Sequence, residues 1–203
     1  MYKSLALKLC LFCAIFLSGC INFATPVTHT AIPKKNCAYI YGRFEQIKDP
    51  NCTVQAPIGL VISSPSGTKA YVLRFLLQNN IYAVEIEPGQ YSITKWLSAY
   101  IDGSLNVEQS LENQFQENSF NLEPRKAYYL GDFRVYTIMN SGLFKQTIED
   151  FIFEIPENCF DKTTREFLET YPGFAEISKI PIFKEGILKS HFNKRHIIRL
   201  EIN

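Results

Sequence analysis

The chain has 203 residues, with 21 Lys and Arg against 20 Asp and Glu, so it carries none of the cation surplus expected of a nucleic-acid binder. The length suits one domain with its own core, or one domain with a small extension. Sixteen Phe and 11 Tyr bias that domain towards strands.

Residues 1–8 hold Lys3 and Lys8 and no acid, and residues 9–17 are apolar without a break. Spanning a bilayer takes about 20 apolar residues, so this is a charged n-region and an h-region, removed as residues 1–19, rather than a permanent helix. The boundary of this segment, Leu17-Ser18-Gly19-Cys20, resembles the lipobox of bacterial lipoproteins. The resemblance implies a diacylglycerol on the Cys20 sulfur, cleavage before Cys20 and acylation of the new amine. Each buried methylene is worth about 0.8 kcal/mol, so three chains anchor essentially permanently. In that family an Asp at the second mature position retains the protein at the inner membrane. Ile21 stands there, which implies the outer membrane, and the periplasmic face is the one expected. The alternative is an ordinary secretory signal with a chance cysteine. The mature chain has a formal charge of −1, because Lys3 and Lys8 leave with the signal.

Cys10 and Cys13 also leave, so Cys37, Cys52 and Cys159 remain in the exported domain. A Cys37 to Cys52 bridge would contribute about 3 kcal/mol by chain entropy, but pairings of Cys159 with Cys37 or Cys52 stay open. One free thiol is expected. No metal site is expected: the cysteines lack close C-x-x-C spacing, and His29, His191 and His196 lie in a linker and the far tail. No cofactor motif is present either.

Residues 20–36 have no sustained period and read as a lipid anchor and flexible tether. From 37 to 156 the pattern predicts a mainly β, antiparallel Greek-key sandwich of seven to eight strands. Ala38 to Glu45 opens it, and Ile58 to Ser63 comes next, before the turn Ser64-Pro65-Ser66-Gly67, where Ser66 is a turn residue. In Ala70 to Gln78, Tyr71, Leu73 and Phe75 share a face. Asn79-Asn80 would then join this strand to Ile81–Glu87 as a type I′ hairpin. After Pro88-Gly89, Tyr91 and Ile93 alternate with Ser92, Thr94 and Trp96. Residues 102–123 read as a long polar loop ending in a strand over Phe115 to Leu122.

Ala127 to Tyr136 places Tyr129, Phe133 and Val135 on one face and Asp132 and Arg134 on the other, where the two could pair, with Gly131 suited to a bulge. In Leu143 to Ile155 the apolar face changes parity, which requires a bulge near Glu149-Asp150. Adjacent in a strand, these two carboxylates point to opposite faces and make a poor catalytic pair. Glu87-Pro88-Gly89-Gln90-Tyr91 and Phe120 to Phe133 look like paired signatures of envelope lipoproteins with prealbumin-like or carboxypeptidase-regulatory-like sandwiches. That resemblance covers about residues 38–155 and carries no catalytic residues. In Pro124-Arg125-Lys126, Arg125 stands where the family usually has glycine.

Residues 157–203 read as an extension packed on the sandwich. Thr163 and Glu166 fit a capping box, and Phe160, Phe167, Leu168 and Tyr171 recur helically until Pro172-Gly173. A final strand could run through Ile198, Leu200 and Ile202. The expected function is a non-enzymatic, periplasm-facing structural or protein-interaction module. It would be held to the membrane by lipid and engage an envelope protein, with Lys194 and Arg195 of the basic tail as contacts. The alternative is a binding module for a small envelope ligand such as a glycan, using Trp96 and Tyr100.

Overall fold

The computed structural model describes residues 21–47, 58–75, 81–100, 105–110, 119–141, 146–183 and 196–197. Two open sheets enclose one core, and a helix covers the outer face of the second sheet. The first sheet contains β1 (Ile21–Phe23), β5 (Ala70–Arg74), β4 (Ile58–Ser63), β7 (Gly89–Tyr100) and β8 (Leu105–Ser110) in that spatial order, with β9 (Phe120–Leu122) also paired to β7. The second is ordered β13 (His196–Ile197), β11 (Gln146–Glu154), β10 (Lys126–Ser141), β3 (Ala38–Ile47), β6 (Ile81–Ile86), β2 (Thr25–Pro26). A further strand, β12 (Ser178–Pro181), also lies on β10. The mainly β sandwich is as expected, but three pairings are parallel: β1 with β5, β3 with β10, and β10 with β12.

Where the helix covers it, at β3, β6 and the start of β10, the second sheet is apolar on both faces because both are buried. Along β3, Ala38, Ile40 and Phe44 enter the core between the sheets, while Tyr39 and Tyr41 pack under the helix. On β6, Tyr82, Val84 and Ile86 face inward, and Ile81 and Ala83 face the helix. The helix, α1 (Phe160–Thr170), presents Phe167 to this face, and Tyr171, Phe174 and Ile177 continue the contact through a 3-10 turn at Pro172–Phe174. Phe167 stacks on Tyr41 with ring centroids 4.2 Å apart.

Several expectations are corrected. β5 and β6 do not form a hairpin. β5 pairs with β4 in one sheet and β6 with β3 in the other, so the chain crosses between sheets across residues 76–80, which lie outside the described residues. The physical reason is burial: Tyr71, Leu73 and Phe75 face Tyr82, Val84 and Ile86 across one shared core, an arrangement that a two-stranded hairpin could not supply. β8 occupies part of the predicted loop 102–123, pairing with residues 95–100 of β7. The bulge expected near Glu149-Asp150 is present: Ile138 faces Asp150 and Met139 faces Ile148, which leaves Glu149 as the extra residue. The helix starts one turn earlier than the capping-box reading, with Cys159 at the N-cap and no side-chain cap. Thr163 is therefore inside the helix and fully buried. Arg125 takes a φ of 58°, the left-handed conformation usually given to glycine at that turn.

Residues 21–36 are not a flexible tether. β1 lies along β5, and the buried Ala24 donates its N–H to the Val72 carbonyl (3.4 Å). β2 lies along β6, and Val27 N–H donates to the Ala83 carbonyl (2.9 Å). His29 stacks on Tyr171, and the Ala31 carbonyl approaches Gly173 so closely that a Cβ there would sit 2.4 Å from it. Lys34 N–H donates to the Tyr39 hydroxyl at 2.7 Å. The segment lacks a period because it runs along a sheet edge and then the end of a helix, and contributes only two very short strands.

β10 carries a second bulge. Tyr129 faces Tyr41 and Gly131 faces Gly42, so Leu130 is the extra residue. A Cβ on Gly42 would lie 2.3 Å from the Gly131 carbonyl oxygen. Gly42→Ala is expected to lower stability by about 1–3 kcal/mol in urea denaturation, because backbone must move to admit the methyl group.

Candidate functional site

The bulge at Leu130 decides which side chains of β10 meet the helix. Before it, Tyr128 and Leu130 face the main core, and after it Phe133 and Val135 do, although the two pairs differ in parity. Tyr129 and Asp132 are thereby both directed to the helix side. Asp132 stands opposite Arg43 on the neighbouring parallel strand, so the two side chains share that face. The expected grouping of Tyr129 with Phe133 is corrected by this extra residue.

The result is a polar cluster between β3, β10 and α1. Thr163 Oγ1 donates to Asp132 Oδ2 (2.8 Å), and the Tyr129 hydroxyl donates to Asp132 Oδ1 (3.0 Å). Arg43 Nε lies 3.7 Å from Asp132 Oδ2, and its guanidinium also pairs with Glu166. Tyr41 and Thr164 share a hydrogen bond of 2.7 Å. Asp132 is only 6% exposed. Burial pushes its pKa above the usual carboxylate range, and the bonds from Thr163 and Tyr129 and the charge of Arg43 pull it back. Burial raises Tyr41 to about 12, against the Thr164 bond. The Tyr129 hydroxyl is raised by burial and then by the Asp132 charge, so it remains a donor at neutral pH.

The chemistry of this cluster is self-contained. Each Asp132 oxygen already accepts a hydrogen bond, and Arg43 is engaged by two carboxylates. Cys159, at the start of the helix, donates to the Glu157 carbonyl (3.3 Å). Its thiol is raised by burial first and then by the nearby Asp132 charge, which disfavours the thiolate a nucleophile needs. The cluster ties the helix to the sheet: it satisfies polar groups that the packing of α1 removes from water.

The other sequence-derived candidates lie elsewhere. Cys20, Cys52, His191, Lys194 and Arg195 are outside the described residues. Cys37 and Cys159 hold free thiols and are not bonded to each other; Cys37 donates to Glu85 at 3.3 Å, and burial followed by the Glu85 bond raises its pKa. Trp96 is fully buried between the sheets, with its ring 5.5 Å from Phe153. It is not on the face opposite Tyr91 and Ile93 that strict alternation gives it, because Thr94 is an extra residue opposite Val61 and Ile62, and this bulge turns Trp96 to their face. Tyr100 ends β7, paired with Leu105. Asp132 and Arg134 do not pair: Arg134 meets Glu45 (3.3 Å) and Glu154 (3.9 Å). Ser66 bonds Thr68 (2.7 Å) within its turn. His196 lies in β13, facing Phe151 of β11.

An open groove of about 450 Å³ runs beside β11, lined by Tyr136, Ile152, Glu154, Ile155 and Pro156 among others. Ile152 is exposed there, and the Tyr136 hydroxyl is held by Glu154 at 2.9 Å. Among the described residues, no group of three or more His, Cys, Asp and Glu is placed to hold a metal ion, and no helix is long and apolar enough to cross a membrane.

Because the pKa of Asp132 is raised, the native state holds a proton there at pH values where the unfolded chain has lost it. The resulting stability is complete below the unfolded value of about 4 and is lost as pH rises through the native value. In urea denaturation across a pH range of about 3.5 to 7, the stability of the wild type relative to Asp132→Asn should therefore fall with rising pH and then level. A relative stability that rises with pH would contradict the assignment.

Comparison with protein-family models, with curated proteins and with solved structures returned no match.

Proposed function

We propose that this chain is an outer-membrane lipoprotein, anchored through Cys20, whose sandwich acts as a non-enzymatic structural or protein-interaction module facing the periplasm. The observation that carries this reading is Leu17-Ser18-Gly19-Cys20 at the end of nine apolar residues and a cationic start. The Arg43, Asp132, Thr163 and Glu166 cluster supports the non-enzymatic part, because its donors and acceptors engage one another and hold the helix. The ligand-binding alternative loses Trp96 as a contact, since that ring is buried in the core. The groove at Tyr136 and Ile152 would have to serve it instead.

Cys20→Ala should leave an unprocessed precursor and abolish labelling by palmitate; labelling that persists would sink the anchor. Crosslinking in cells and then pull-down from outer membranes, with Cys20→Ala as the unanchored control, should yield a protein partner that the control loses. A fully anchored protein without any partner would shift the reading to ligand binding at the groove.

A further inference from the structure

We infer that one end of the sandwich rests directly on anionic lipid headgroups, with Lys35 and Arg125 as its contacts. This rests on the proposed acylation of Cys20. It concerns how the domain is held rather than whether it is anchored.

The docked N-terminal segment sets the geometry. Ile21 is already in β1, opposite Ala70, and adjacent Cα atoms are about 3.8 Å apart, so an acylated Cys20 has no slack with which to stand the domain off. Ala70 faces Ser63 on β4, and Ser63 faces Ser92 on β7, which fixes the end of the first sheet nearest the anchor. The turn over residues 64–69 projects from that end. Lys69 pairs with Glu87 just beyond β6, which brings the end of the second sheet to the same place. Ile86 faces Ala38, and Arg125 N–H donates to the Cys37 carbonyl at 2.7 Å, so residues 34–37 and the 123–125 turn complete this surface.

Its charge is asymmetric. Lys34 pairs with Glu85 (2.9 Å), Lys126 with Glu123 (2.7 Å) and Lys69 with Glu87, so these acids are neutralised locally. Lys35 and Arg125 are exposed, and among the described residues neither is in an ion pair. Two exposed cations outside any described ion pair therefore lie at the end of the sandwich where β1 begins, and the exposed Glu176 just before β12 acts on Lys179. Each cation held at an anionic surface contributes roughly a fivefold gain in association. A chain held through Cys20 keeps this end beside the bilayer, and its exposed cations match anionic headgroups, which makes the headgroups its occupant.

The test uses the mature chain with Cys37→Ser, Cys52→Ser and Cys159→Ser, coupled through Cys20 to a maleimide lipid in vesicles of phosphatidylcholine and phosphatidylglycerol. This attachment is independent of processing in cells, so its outcome is separate from palmitate labelling. A lipid carrying a nitroxide on its headgroup quenches tryptophan near the surface. With the Trp96 signal of the parent subtracted, fluorescence of Ser66→Trp, and of Thr68→Trp as a second probe of the same turn, should fall at least twofold. Tyr136→Trp, towards the opposite end, and the parent with Trp96 alone should be unaffected. Equal quenching at both ends, or none at the 64–69 turn, would overturn the seating. Adding Lys35→Glu and Arg125→Glu should at least halve the Ser66→Trp quenching in anionic vesicles and leave it unchanged in neutral ones. Quenching in anionic vesicles that ignores these reversals would overturn the role of the two cations.

Discussion

Gly42 and Gly131 meet backbone to backbone at the centre of the second sheet, and this contact lets one strand serve two cores. With a side chain on Gly42 the strands could not close to pairing distance around the extra residue Leu130. Because they do close, the same run of β10 places Tyr128 and Leu130, then Phe133 and Val135, between the sheets, and turns Tyr129 and Asp132 towards the helix. The helix has its apolar seat on Tyr39, Tyr41 and Ala83 and its polar clasp on Asp132 and Arg43 because the bulge sets that phase.

That clasp illustrates how a charge is tolerated under a helix. Removing a carboxylate and a guanidinium from water costs several kcal/mol each, and their attraction repays this only when the remaining hydrogen-bonding positions are filled. Here Thr163 and Tyr129 fill them, and Glu166 at the helix edge shares Arg43. The pairing sets Thr163 and Glu166 of the helix against Asp132 and Arg43, and beyond the helix Gly173 meets the backbone of Ala31.

Much of the β architecture was legible in the sequence because strand period and turn chemistry are local. Ile58–Ser63 has the same bounds in the sequence and in the structure, and the parity change between Phe144, Ile148 and Phe151 located the bulge at Glu149. The same logic, applied to Tyr128 and Leu130 against Phe133 and Val135, contains the signal for the bulge at Leu130. Applied to Tyr91 and Ile93 against Trp96, it contains the signal for the one at Thr94. What no local pattern carries is the partner of each strand. Asn79-Asn80 has hairpin chemistry whether its flanking strands pair or cross between sheets, and the choice is made by the shared core. The polar cluster was invisible for the same reason: Arg43, Asp132 and Thr163 come from three distant segments, and only the parallel pairing of β3 with β10 assembles them.

That parallel pairing also sets an order of events during folding. β3 cannot complete the middle of its sheet until β10 arrives about 90 residues later in the chain, and contacts so distant in sequence are slow to form because loop closure must precede their reward. A chain that emerges from its N-terminus would expose Tyr39, Ile40 and Tyr41, apolar on both faces, through most of its synthesis. Such a strand is an aggregation hazard in the interval. The architecture that buries the second sheet twice therefore makes its earliest long strand the one most in need of a chaperone's protection before the last third of the chain is present.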